Sequence, residues 1–175
     1  MESFIHNWGY IALFLYSFGG GMLALAIASV FAYSGELNIY YVIVIATIAN
    51  IIGDQFLFLI ARNNKQKAQD MIKKYQNQVD MAHNMMAKYG WVAIIIQKYI
   101  YGIKTLIPLV IGLTTYQNNK FLFFNILGAI IWGLVVGLSA YFLGDIVLSF
   151  LEEYKNYGVI FLLLIVVSIV IWIKR

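Results

Sequence analysis

Two lysines, Lys98 and Lys104, lie six residues apart in a stretch that otherwise has the composition of a membrane interior. A cation at the centre of a bilayer costs about 2.5–3.5 kcal/mol, so an intramembrane lysine is a functional hypothesis by default. Gly102 and Pro108, on either side of Lys104, both weaken a helix. The stretch predicts a broken cationic segment that binds an anion. The alternative is that both lysines reach the interface from a shallow position.

A second polar pair, Asn50 and Asp54, lies four residues apart in another apolar stretch. On a helix this spacing places both side chains on one face, and that face is expected to look into protein rather than lipid. Asp54 is a candidate for binding a coupling proton. It is equally a candidate for an ion pair with Lys98 or Lys104 that only holds the fold, and the sequence leaves both open.

The composition indicates a single-domain, all-helical, polytopic membrane protein. Of 175 residues, 62% are hydrophobic and 11% are charged, and the mean hydropathy is +0.80. There is no cysteine, and the two histidines have no partner at ligand spacing, so we expect no metal and no cofactor. The serines lack a base at helical spacing, so we expect no catalytic residues and no enzyme. We expect no nucleic-acid partner.

Hydropathy and glycine content divide the chain into six segments. Residues 8–35 carry no charge, are long for one span at 1.5 Å per residue, and contain three consecutive glycines. Residues 63–89 have apolar positions three and four apart and many lysines, which predicts an amphipathic helix on the cytoplasmic leaflet or a solvated linker. The predicted segments are a re-entrant hairpin at 8–35, a transmembrane helix at 37–61, the amphipathic helix at 63–89, a second re-entrant hairpin at 90–118, and transmembrane helices at 121–144 and 156–173.

The distribution of charge favours hairpins over full spans. If both glycine-containing segments return to their own side, residues 62–88, Lys120, Lys174 and Arg175 all face the cytoplasm, as the positive-inside rule requires. Full spans would separate these charges. The prediction is a multi-pass protein with residues 62–88 and the C-terminus in the cytoplasm.

A faint internal repeat points to the same arrangement. Residues 8–12, Trp-Gly-Tyr-Ile-Ala, resemble residues 89–93, Tyr-Gly-Trp-Val-Ala. A spacing of about 80 residues pairs the glycines of the two halves, Gly21 with Gly102 and Gly53 with Gly133. Each half is then a hairpin followed by a span, and the halves are inverted relative to each other, as in many secondary transporters.

Several motifs together resemble the DedA family, also called the VTT or SNARE-associated membrane domain, in its short branch. They are the Gly53-Asp54-Gln55 run, the spacing of Lys98 and Lys104 around Gly102, and, further on, Pro108, Gly112, Asn125, Gly128 and Trp132. The chain departs from the family pattern because both arginines of the second hairpin are lysine and its proline is Tyr101. The first hairpin also lacks the family's acidic residues, with Gly20 and Met22 at the matching positions.

The resemblance implies a lipid transporter, a flippase or scramblase, of the bacterial cytoplasmic (inner) membrane. The substrate would be an anionic lipid such as undecaprenyl phosphate or a phospholipid, whose headgroup lies where the two hairpins meet. The alternative is a proton- or cation-coupled transporter of small solutes, for which the missing acids are unfavourable. Homo-oligomerisation is left open. The predicted substrate-binding residues are Lys98, Lys104, Tyr101, Gly102, Thr105, Asn50, Asp54 and Asn125. The predicted structural residues are Gly20, Gly21, Gly53, Pro108, Gly112 and Trp132.

Overall fold

The computed structural model describes residues 2–100 and 102–153, and in residues 2–7, 151 and 153 the backbone alone. Tyr101 and the predicted span at 156–173 therefore lie outside the described residues. The described part of the chain is all helical, without a strand. Its helices are α1 Glu2–Phe18, α2 Met22–Tyr33, α3 Ile39–Asn63, α4 Lys65–Ile72, α5 Gln76–Tyr89, α6 Val92–Ile96 with a following 3₁₀ turn Gln97–Tyr99, α7 Leu106–Leu113, α8 Asn118–Phe142 and α9 Gly144–Glu153.

Helices α3 and α8 form the centre of the molecule, and each is long and apolar enough to cross a membrane. At 25 residues, each is roughly 38 Å long. They cover the two predicted spans with shifts of a few residues. The Asn38 side chain, for example, accepts a hydrogen bond from the Tyr40 N–H and so sets the start of α3. The helices pack closely, since a side chain at Gly133 would overlap the Thr47 hydroxyl.

Residues 8–35 fold back on themselves as a helical hairpin, which we call the first hairpin. The Asn38 N–H donates to the Tyr10 hydroxyl at 2.9 Å, so the end of α2 returns to the start of α1. Gly20 forms the turn with a φ of +105°, which a residue with a side chain rarely adopts. The tip reaches well along α3, where a side chain at Gly53 would overlap the Phe18 carbonyl oxygen.

Residues 90–118 also fold back, as the second hairpin, built from α6, the 3₁₀ turn and α7. Arg62, in the last turn of α3, donates to the carbonyl oxygens of Gly112 and Tyr116 at 3.1 and 2.6 Å. At the start of the segment, Trp91 stacks on Phe124 of α8 with 4.9 Å between ring centroids. Both ends of this hairpin therefore lie at the end of the bundle opposite to the open end of the first hairpin.

Glycine and proline occur in the second hairpin, as glycine does in the first, at positions where the backbone geometry favours them. Gly102 has a φ of +86°, so each hairpin turn contains a glycine with left-handed backbone. The repeat at a spacing of about 80 residues pairs Gly102 with Gly21, whereas this backbone geometry occurs at Gly20. Pro108 is the third residue of α7, where its missing N–H is one of the groups that a first helical turn leaves unbonded.

The predicted amphipathic helix at 63–89 is two helices, α4 and α5, separated by a turn at residues 73–75. The turn redirects the chain so that the apolar faces of both helices pack in one cluster with α7. The buried residues on these faces are Ala68, Ile72, Val79 and Ala82. Much of the apolar face that was expected to lie on a membrane or in solvent is thus covered by protein.

Charge is segregated between the two ends of the bundle. Arg62, Lys120 and the lysines of α4 and α5 lie at the end where the second hairpin opens, and they outnumber the two carboxylates there, Asp70 and Asp80. The opposite end carries Glu36 and Asp145, and there Tyr33 and Tyr141 pack edge to face at 5.7 Å. The structure thus has one basic end and one acidic end.

Candidate functional site

Lys98 lies in a closed nest of oxygen atoms between α3, the 3₁₀ turn and α8. Its ammonium donates to Asp54 Oδ2 at 2.6 Å, to Asn50 Oδ1 at 2.6 Å and to Asn125 Oδ1 at 2.8 Å. An ammonium has three N–H groups, so its hydrogen-bonding capacity is filled. Lys98 is 2% exposed and Asp54 3%. The pair is therefore a buried salt bridge completed by two asparagines.

Asn125 and Gly128 of α8 hold the nest closed, although the Asn50 amide nitrogen has no hydrogen-bond partner among the described residues. The Asn125 amide donates to the Ile51 carbonyl oxygen at 3.0 Å, which fixes the orientation of its own oxygen toward Lys98. A side chain at Gly128 would lie 3.0 Å from Lys98 Cε and 3.1 Å from the Cα of Ile95, so α8 approaches the second hairpin closely. This arrangement leaves no donor on Lys98 for a ligand.

Lys104 has a different environment. It is 8% exposed, yet its ammonium has neither a hydrogen bond nor a salt bridge with any described residue. The nitrogen lies 4.7 Å from the centroid of the Trp132 ring, a cation–π contact with a fully buried indole. Such contacts contribute about 0.5–2 kcal/mol, which offsets only part of the desolvation of an ammonium. Lys104 is thus a buried cation with no anion of the described residues in direct contact.

A cavity of about 250 Å³ opens beside Lys104, between the tips of the two hairpins. The first hairpin contributes Gly19, Gly20 and Met22, and a side chain at Gly20 would lie 2.9 Å from Lys104 Cδ and Cε. Thr105 lines the cavity from the N-terminal end of α7, where the helix dipole is positive. The lining is therefore electropositive and suits an anion.

The predicted site residues divide into two groups. Asn50, Asp54 and Asn125 meet at Lys98, and Asp54 forms its salt bridge with Lys98. The cavity is lined by Lys104, Gly102 and Thr105 together with Lys98. Of the predicted structural residues not yet placed, Gly21 and Gly112 lie where a side chain would meet backbone atoms, of Tyr16 at 2.7 Å and of Phe58 at 2.5 Å.

Two features of the site were missed in the sequence. Asn50-Ile51-Ile52-Gly53 and Asn125-Ile126-Leu127-Gly128 are near-identical runs 75 residues apart, and both asparagines bind Lys98. Gly53 and Gly128 each contact the first arm of a hairpin, so this pairing replaces that of Gly53 with Gly133. Gln97 was also missed. It is fully buried, and its amide has no partner among the described residues.

Metal ligation has no support in the described residues, which contain no group of three histidine or carboxylate side chains able to hold an ion. The fold instead has two apolar helices long enough to span a bilayer, flanked by two helical hairpins whose tips meet at a buried cation. Together with the apolar composition, these features indicate a helical membrane protein.

The family model of the VTT domain matches residues 7–142, and the chain belongs to this family, the DedA family. Inner membrane protein YohD of Escherichia coli (strain K12) is 26% identical over 180 residues, covering 100% of this chain and 94% of YohD. Protein DedA of the same organism is 27% identical over 154 residues, covering 79% of this chain and 70% of protein DedA. Inner membrane protein YqjA, also of Escherichia coli (strain K12), is 35% identical over 63 residues, covering 36% of this chain and 29% of YqjA. No solved structure matches the chain. The protein is thus a bacterial membrane protein.

Proposed function

We propose that the protein moves an anionic lipid across the bacterial cytoplasmic membrane and that Lys104 binds the headgroup. The observation that carries this proposal is the buried ammonium of Lys104, which lacks a hydrogen-bonding or ionic partner among the described residues and borders a cavity between the hairpin tips. An isolated charge at membrane depth is costly and is normally paired or serves a ligand. An anionic headgroup would supply the missing partner.

The remaining lining favours an oxyanion. Thr105 offers a hydroxyl at the positive end of α7, and Gly102 brings backbone without a side chain to the same cavity. A phosphate on a lipid fits this chemistry because its tail can stay in the apolar surroundings while its charge reaches Lys104. Broken helices whose ends meet near the middle of a membrane are a common substrate site in transporters.

The membrane arrangement follows from the charged ends. The positive-inside rule places the basic end, with Arg62 and Lys120, in the cytoplasm. The second hairpin then enters from the cytoplasm and the first from the outside, and both are re-entrant, with their tips meeting at the level of Asn50 and Asp54. The two halves then have the inverted relation that the repeat suggests.

Proton coupling through Asp54 is not part of the proposal. Asp54 is the only carboxylate within the described helices α2, α3, α6, α7 and α8, and it is bonded to Lys98 at 2.6 Å. Protonating it would leave Lys98 as an unpaired buried charge. No observation therefore favours a proton-coupled transporter of small solutes over a lipid transporter.

A lipid-flipping assay with purified protein in vesicles tests the proposal. Fluorescent phosphatidylglycerol and undecaprenyl phosphate serve as probes, and the wild type is compared with Lys104→Gln. Losing one charge-assisted contact of about 1.5–3 kcal/mol should slow transport roughly tenfold or more. The change should leave the melting temperature near that of the wild type, because the lost cation–π contact with Trp132 is offset by no longer burying a charge without a hydrogen-bonding partner.

Lys120→Gln is the matched control because it removes one positive charge from an exposed position at the basic end. We expect it to transport at the wild-type rate. Equal rates for Lys104→Gln and the wild type would refute the headgroup site, and a wild-type protein that moves neither probe would refute lipid transport.

A further inference from the structure

The outer side of the first hairpin carries a long apolar groove between α1 and α2. The groove has a volume of about 1040 Å³ and follows both helices, from Trp8 to Gly21 on one wall and from Met22 to Phe31 on the other. It therefore extends over about three helical turns, roughly 16 Å. Its walls include the exposed side chains of Ile11, Leu15, Leu23 and Ile27.

The groove ends at the Lys104 cavity. Gly19, Gly20 and Met22 line both spaces, so the two are separated only by the turn of the first hairpin. An apolar channel that leads to an unpaired cation has the polarity of an amphiphile with an anionic head and a hydrocarbon tail. A plain lipid-facing helix surface would show no such gradient.

We infer that this groove holds one hydrocarbon chain of the lipid whose anionic headgroup lies against Lys104. The inference rests on the proposed function and adds the route of the chain, which runs along the first hairpin rather than over the surface of α3 or α8. Small residues make room for the chain, with Gly9 and Ala12 on one wall and Ala24 on the other.

A protein helix is a poorer occupant than a lipid chain. The apolar segment at residues 156–173 contains no Asp or Glu, so it could fill the groove but could not neutralise Lys104. A second copy of the chain would cover the groove with another helix surface, and this alternative is an outcome of the test below. Of these occupants, only an anionic amphiphile can both fill the apolar groove with its hydrocarbon chain and pair its headgroup with Lys104.

Photolabelling tests the route. The probe is phosphatidic acid with a diazirine in the middle of one acyl chain, placed with the full-length protein in vesicles of unlabelled phosphatidylcholine. After illumination, labelled peptides are mapped by mass spectrometry. We expect labelling of α1 and α2 to exceed that of the exposed face of α8, and to fall at least severalfold in Lys104→Gln. Phosphatidylcholine carrying the same diazirine should show no such preference.

A groove-filling variant provides a second measurement. Ala12→Trp puts a large side chain into the groove from an exposed position, and Val135→Trp makes a comparable change on the exposed face of α8, outside the groove. We expect Ala12→Trp to lower both the labelling of α2 and the flipping rate severalfold, with a melting temperature close to that of Val135→Trp. Val135→Trp should label and flip as the wild type does.

The outcomes separate this inference from the proposed function. Wild-type flipping without preferred labelling of α1 and α2, or with labelling that does not depend on Lys104, overturns the groove and leaves lipid transport intact. Lys104-dependent labelling without flipping supports the groove as a binding site and overturns transport. Thiol cross-links between copies that carry Ile11→Cys or Ile27→Cys, formed with a bismaleimide and with no lipid label on α1 or α2, show that a second copy covers the groove and overturn the inference.

Discussion

Lys98 and Lys104 are both buried lysines of the second hairpin, but their bonding partners differ. They lie six residues apart and both are buried, yet Lys98 has three oxygen acceptors and Lys104 has an aromatic ring and a cavity. Burial alone therefore does not identify a cation that binds a ligand. What distinguishes Lys104 is that its ammonium donates no hydrogen bond to a described residue. The three N–H groups of Lys98 instead bond to α3 and α8 and so connect them to the second hairpin.

The largest expected effect is the loss of thermal stability when Lys98, but not Lys104, is replaced by alanine. Lys98→Ala leaves Asp54 buried without its cation, and breaking a buried ion pair from one side costs about 3–5 kcal/mol. We expect a large fall in the melting temperature of the purified protein in detergent, whereas Lys104→Ala should melt close to the wild type. Thermal unfolding followed by intrinsic tryptophan fluorescence measures both.

The double variant Lys98→Met with Asp54→Leu is the control for this prediction. Replacing both charges by apolar side chains of similar size removes the unpaired group, and such exchanges are often neutral. Most of the lost stability should return. If Lys98→Ala melts like the wild type, the nest around Lys98 does not hold the bundle together.

Replacing each lysine by arginine also separates the two positions, with an expected effect of intermediate size. A guanidinium is planar and larger than an ammonium, so at Lys98 it cannot match the three acceptors and should destabilise the protein by about 1–3 kcal/mol. At Lys104 it has the cavity beside it and can stack on Trp132, so transport should stay within about fivefold of the wild-type rate. Melting and flipping assays on both variants check this, and a Lys98→Arg protein as stable as Lys104→Arg would contradict it.

The smallest expected effect concerns the turn that covers Lys104. Gly20→Ala and Gly35→Ala both place a side chain on backbone with positive φ, +105° and +87°, which costs of order 1–3 kcal/mol in each case. Only at Gly20 does the new methyl meet Lys104, because nothing lies within 4 Å of a side chain at Gly35. The two variants should melt alike, and Gly20→Ala alone should slow lipid flipping a few-fold. Equal flipping rates would show that the turn does not control access to Lys104.

Much of the fold was predictable because its signals are local. Apolar runs of about 25 residues gave α3 and α8, and the glycine run at 19–21 gave the break in the first hairpin. The turn at residues 73–75 was not predicted, because apolar spacing continues across it and the break depends on packing against α7.

The candidate site was predictable as a set of residues and not as an arrangement. Helical spacing placed Asn50 and Asp54 on one face, and both do point into protein. The choice of Lys98 over Lys104 as the partner of Asp54 depends on where α3 crosses the second hairpin, which no local pattern contains. The repeated asparagine–glycine runs at Asn50 and Asn125 were a usable signal, since matched positions in two halves tend to occupy matched places.

The cover that α4 and α5 form over α7 has a mechanical consequence. Displacing the second hairpin would strip apolar surface from those helices and break the hydrogen bonds from Arg62 to Gly112 and Tyr116. The first hairpin is contacted by α9 only at its open end, where a side chain at Gly144 would meet the Tyr33 ring, and its outward face is the open groove. Under the proposed function, a lipid would therefore reach Lys104 from the side of the first hairpin, because α4 and α5 cover the second hairpin at α7.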